Sequence, residues 1–252
     1  MGKIAETGHA KNVANFKALT AQVSEMGARY NPSADSIRLS ALTTRGIQAD
    51  QVMSALIKAG SLADNTTNKR IEQFAKISKL ITRISATLKM ARVSPETMDD
   101  AAGFIAKLRG KRRGKPADTS LPSPSSSTIA EPVHHPTTKS VSQRSFDMQQ
   151  AAFGELVAFI EAQPHYKSND AALTKEGLND FLVGLDAANT EAIVVNNTYR
   201  QAQQTRNMEL YDRQNGLFTI VSEVKAYLKS LPDGINSPDY KNAVKFQFKS
   251  FY

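Results

Sequence analysis

The chain of 252 residues has no cysteine and no tryptophan. Missing thiols exclude a disulfide framework, thiolate metal sites, iron–sulfur ligation and a cysteine nucleophile. No run approaches the ~18 uncharged apolar residues that a membrane span needs. The opening MGKIAETGHA lacks the apolar stretch of a secretory leader, and Glu6 stands where a myristoylation signal requires Ser or Thr. A cytoplasmic protein with no membrane span is the expectation. Glycine and proline are scarce, at 13 and 10, and sparse punctuation favours few and long helices.

Proline placement divides the chain. Five of the ten lie in 116–136, around the run SPSSS, where bulky apolar residues are few. Such a composition buries too little surface to offset chain entropy. Residues 110–143 therefore read as a flexible linker, basic at its start and Ser/Pro-rich after it. An N-terminal basic bundle over 1–109 and a C-terminal bundle over 144–252, ending in an aromatic tail, remain. Cleavage within 114–143 is expected to leave two helical fragments. Charge follows the same division: residues 1–115 hold 20 Lys and Arg against 9 Asp and Glu, whereas 144–252 hold 11 against 13.

Apolar residues recur with helical period. Phe74, Ile77, Ile81, Ile84 and Leu88 form one stripe, with Lys76, Lys79 and Arg83 off it. Leu210, Leu217, Val221, Val224, Leu228 and Leu231 form a second. Shorter stripes run through Phe16 to Met26, Leu42 to Leu56, Phe153 to Ile160 and Leu178 to Val195. Alternation with period two is confined to the last eight residues. The class is all-α, with helices of about 20–30 residues packed as hairpins or bundles.

The two halves also align. Phe16, Leu19 and Val23 recur as Phe153, Leu156 and Ile160, and Tyr30 to Leu42 recur as Tyr166 to Leu178. Arg70, Phe74 and Leu80 answer to Asn207, Tyr211 and Leu217. Ser94-Pro95 and Ser237-Pro238 each open a helix, the hydroxyl capping an amide and the proline lacking one. The expected architecture is two tandem antiparallel helical bundles, each of three long helices plus one short helix, joined by the linker. The segments IAETGHAKNVANFKAL, YNPSADSIRLSAL, ISKLITRISATLK, NGLFTIVSEVKAYLKSL and SPDYKNAVKFQF resemble a family of two-repeat helical proteins from Bacteroidota bacteria. The resemblance spans the chain apart from the linker. It implies a shared fold and a bacterial source, and it transfers no catalytic residue.

Candidate chemistry is thin. Of four histidines, His134 and His135 lie in the linker, His165 follows Pro164 in a turn, and His9 lies near the N-terminus. None stands in an E-x-x-H pattern, so no di-iron bundle site is expected. G-x-S-x-G and phosphate-loop motifs are missing, and GKRRGK trails a helix instead of opening one. No catalytic, cofactor or metal residue is assigned, no cofactor is expected, and no small-molecule substrate is evident. The sharpest local signal is the cluster Lys107, Arg109, Lys111, Arg112, Arg113 and Lys115, six cations in nine residues. It suits the phosphates of nucleic acid or another anionic partner. It equally suits a helix C-terminus that complements its own dipole. In the tail, Phe246, Phe248, Phe251 and Tyr252 suit contact with a partner or a second copy, or fold back on their own bundle. Asn196 and Asn197 mark a hairpin tip or a polar layer. The best candidate for a concealed membrane hairpin, LFTIVSEVKAYL, is interrupted by Glu223 and Lys225. The functional expectation is a non-enzymatic scaffold or protein-interaction protein, with self-assembly through the tail. The alternative is a nucleic-acid-binding protein acting through the basic first half.

Overall fold

A computed structural model of the chain describes residues 6–110 and 145–250. Among these residues there are seven α-helices and no strand. They are α1 (Glu6–Glu25), α2 (Leu39–Met90), α3 (Pro95–Leu108), α4 (Phe146–Glu161), α5 (Lys175–Tyr211), α6 (Leu217–Ser230) and α7 (Pro238–Ala243). The helix openings follow their sequence signals. Ser94 and Ser237 accept from the amides of Thr97 and Tyr240, each with proline in the first turn.

Helix lengths depart from the expected 20–30 residues. α2 runs for 52 residues, joining two stripes that the sequence suggested were separate helices. No proline interrupts it, and an interior glycine costs only about 1 kcal/mol. Gly60 meets a neighbour there: a Cβ would lie 3.2 Å from Cε2 of Tyr199 on α5. Ala63 and Thr66 are buried within the polar stretch. α5 likewise absorbs Asn196 and Asn197, which lie inside the helix and not at a hairpin tip. Conversely, the stripe expected to run through 208–231 is broken. The Asp212 carboxylate accepts from the amides of Gln214 and Asn215 at 3.0 and 2.7 Å, which ends α5. Gly216 then restarts the chain, where a Cβ would lie 2.4 Å from the Asp212 carbonyl oxygen.

The chain forms two compact units, and they are not the two sequence halves. The first comprises Met1–Asn65 with Val194–Tyr252, the second Thr66–Ile193. The division over 1–109 and 144–252 is thereby corrected, because the boundaries fall inside α2 and α5. The first unit buries Phe16, Leu19 and Val23 of α1 and Leu42 and Met53 of α2 with Leu217, Val221, Val224 and Leu228 of α6. The second buries Phe153, Leu156 and Ile160 of α4 and Leu178 and Leu185 of α5 with Ile77, Ile81, Ile84 and Leu88 of α2. Each core thus joins the opening helices of one half to the closing helices of the other.

The spacing of buried residues can be compared between the halves. A separation of 136 residues holds from Tyr30 and Tyr166, both buried, through Leu42 and Leu178 to Leu56 and Ala192. Because α2 and α5 are both unbroken there, the same separation sets Arg70 against Arg206 and Phe74 against Leu210, not against Asn207 and Tyr211. After the break, the buried set Ile77, Leu80, Ile81, Ile84, Leu88 repeats with identical spacing as Leu217, Ile220, Val221, Val224, Leu228. The break has added about one helical turn of chain.

Candidate functional site

In the second unit, α4 and α5 enclose a groove of about 700 Å³, lined by Asp147, Gln150 and Gly154 on one side and Leu182, Val183 and Ile193 on the other. Helical spacing places these residues along one flank of each helix. A polar chain fixes the groove's upper end. Arg70 donates to Asn189 Oδ1 at 3.2 Å, and Asn189 donates to Asp147 Oδ1 at 2.6 Å. The Arg70 guanidinium lies 4.2 Å from the centre of the Phe146 ring. Gln150 donates to Asp186 Oδ1 at 2.7 Å. These bonds hold the rim and leave both carboxylates with spare acceptor positions.

The groove floor carries exposed aliphatics. Val183 is 67% and Ile193 49% exposed. Their counterparts at the same separation in the first unit are Ile47 and Ile57, 54% and 62% exposed. Asp186 likewise matches Asp50, whose carboxylate meets Lys17 Nζ at 2.7 Å. Two exposed aliphatics and one carboxylate therefore recur at a separation of 136 residues, one set in each unit. None of them was picked out from the sequence, since each lies off the dominant stripes. The separation of 136 residues was the signal that could have found them.

The tail folds back. Phe246 and Phe248 pack, partly buried, against the first unit's core. Of the two readings of these rings, partner contact or folding back, the packing is that of folding back; Phe251 and Tyr252 lie outside the described residues. Asn12 holds the tail with two bonds, Nδ2 to the Lys249 carbonyl at 2.9 Å and Oδ1 from the Lys249 amide at 3.1 Å. Lys225 Nζ donates to the Phe246 carbonyl at 3.0 Å and lies 5.3 Å from the centre of the Phe248 ring. Burial holds its pKa below the ordinary lysine value. His9 is a buried α1 residue whose Nδ1 lies 2.6 Å from the Tyr211 hydroxyl. Two matched tyrosines serve as interior pegs, Tyr30 donating to the Ile37 carbonyl at 2.7 Å. Burial pushes the pKa of both Tyr30 and Tyr166 up.

The basic cluster divides. Lys107 pairs with Glu155 at 2.7 Å, and Arg109 donates to the Thr82 hydroxyl at 3.4 Å. Lys111, Arg112, Arg113 and Lys115 lie outside the described residues, as do His134 and His135. Among the described residues no group of three or more His, Asp or Glu could hold a metal ion, and no helix is long and apolar enough to cross a membrane. No family model, curated protein or solved structure matches the chain.

Proposed function

We propose that the protein is a non-enzymatic helical scaffold that binds other proteins at two equivalent aliphatic faces. The observation that supports this is the recurrence of Ile47 and Ile57 as Val183 and Ile193, all exposed. A core position repeats because the packing repeats. An exposed aliphatic has no packing reason to repeat, and surface apolar groups rimmed by polar ones mark interaction sites. The shape between α4 and α5 suits the apolar stripe of an amphipathic helix. The carboxylates of Asp147 and Asp186 on its rim favour a partner helix with basic flanks.

The test uses a photo-crosslinking amino acid at Ile57 or at Ile193 in cells that make the chain. The expected result is the same protein adduct from both positions, lost when the other aliphatic of each face is replaced, Ile47→Glu and Val183→Glu respectively. No adduct from either position, or adducts unchanged by these substitutions, overturns the reading. The nucleic-acid alternative rests on the charge excess of residues 1–115. It requires heparin binding that falls steeply with salt and disappears on neutralising Lys111, Arg112 and Arg113.

A further inference from the structure

Both units are seams between the halves of the sequence. In the first, Arg29 pairs with Asp239 at 2.8 Å and Arg45 with Glu209 at 3.1 Å. In the second, Lys107 pairs with Glu155, and Phe74 meets Phe146 edge-on with ring centres 4.9 Å apart. Each half contributes an opening piece to one unit and a closing piece to the other. Neither half therefore contains a complete core: α1 lacks the α6 stripe, and α4 lacks the α2 stripe that covers it.

From this interlock we infer that the partner fitted by each half's core face is a second copy of this chain, and that two chains pair by exchanging halves. The seam residues of a second copy are chemically identical, so every buried contact and all three ion pairs form equally well between chains. Only the tether decides which arrangement results. Gly110 and Ser145 are separated by 34 residues, which can reach at most about 3.3–3.6 Å each. A short tether gives a partner on the same chain an effective concentration of order millimolar. The closed single chain therefore dominates in dilute solution, and exchange is favoured when chains fold together at high concentration. The proposal is independent of the two aliphatic faces, since Ile47 and Ile57 lie on α2 in one half and the α4–α5 groove lies wholly within the other.

The experiment uses the full chain with a site-specific protease sequence inserted within 111–144, prepared with two different affinity tags. Uncut, dilute protein is expected at single-chain mass, and after cleavage the two fragments are expected to co-elute. Fragments that separate overturn the interlock and the proposal with it. The two tagged preparations are then unfolded together and refolded at high concentration. A mixed species of twice the chain mass is expected, carrying both tags. Cutting its tethers should return it to single-chain mass, because each exchanged pair of halves becomes an independent complex. Absence of a mixed species at every concentration overturns the proposal. A mixed species that survives cutting also overturns it, and would place the contact at the aliphatic faces or elsewhere on the surface.

Discussion

The two units solve the same packing problem with different degrees of continuity. In the second, α2 carries its stripe from Phe74 to Leu88 without interruption. In the first, the corresponding stretch stops at Tyr211, passes through Asp212 to Gly216, and resumes in α6. The closing elements differ too: α3 has 14 residues, whereas α7 has six and is followed by a docked tail. At the helix contact near the start of each unit, the second sets Phe74 edge-on against Phe146, while the first sets His9 against Tyr211. An apolar stripe of fixed spacing is thus the conserved requirement between units, and the backbone that presents it is adjustable.

The largest expected effects come from the shared feature. Phe16 and Phe153 are both fully buried at matched positions. Phe16→Ala and Phe153→Ala should each cost about 3–5 kcal/mol, in the unit that holds the residue. Urea unfolding followed by a reporter in each unit checks this; equal loss in both units from either substitution would break the distinction between them.

Next come the features that differ. Gly216→Ala should cost about 1–3 kcal/mol through forced backbone movement against Asp212. Lys76→Ala, at the matched place in unbroken α2, should stay within about 0.5 kcal/mol. Thermal unfolding of the two variants side by side is the measurement. A smaller contrast concerns the caps. Ser94→Ala and Ser237→Ala should each cost about 1 kcal/mol. The loss should be greater for Ser237, which is buried where Ser94 is exposed; chemical denaturation midpoints decide it.

The subtlest contrast is in pH. Amides of Asn215 and Gln214 hold the Asp212 carboxyl below the usual aspartate value. A lowered value means that the ionised form favours the fold. Its contribution is complete above an ordinary aspartate value of about 3.9 and is lost as pH falls through the lowered one. Asp212→Ala should therefore lower the first unit's unfolding midpoint at neutral pH, and the gap from the parent should close on acidification. A gap that persists in acid would show that Asp212 acts without its charge, and no gap at neutral pH would assign the break to Gly216 alone.

Much of this was legible from residue order. The stripes at Phe16, Phe74, Phe153 and Leu217, the tyrosine pegs and both Ser-Pro caps follow from local spacing, which a helix reads directly. The assembly was less legible, because nothing local says whether Ile77 packs on α1 of its own half or on α4 of the other. Matching stripes make both pairings equally good by pattern, and only long-range contact chooses. The break at 212–216 was signalled by Asn215-Gly216, a turn pair that the strong flanking leucines masked. The exposed Ile57 and Ile193 were invisible because a periodicity search discards residues off the stripe.

The interlocking of halves also imposes an order on synthesis. As the chain leaves the ribosome, α1 is made first but its covering stripe at Leu217 to Leu228 is made near the end. The second unit is made up of residues between Thr66 and Ile193. The interior of the sequence can therefore settle while the earliest segment is still waiting with its apolar side uncovered. Such a wait is the interval in which a nascent chain is most open to chaperones and to wrong partners.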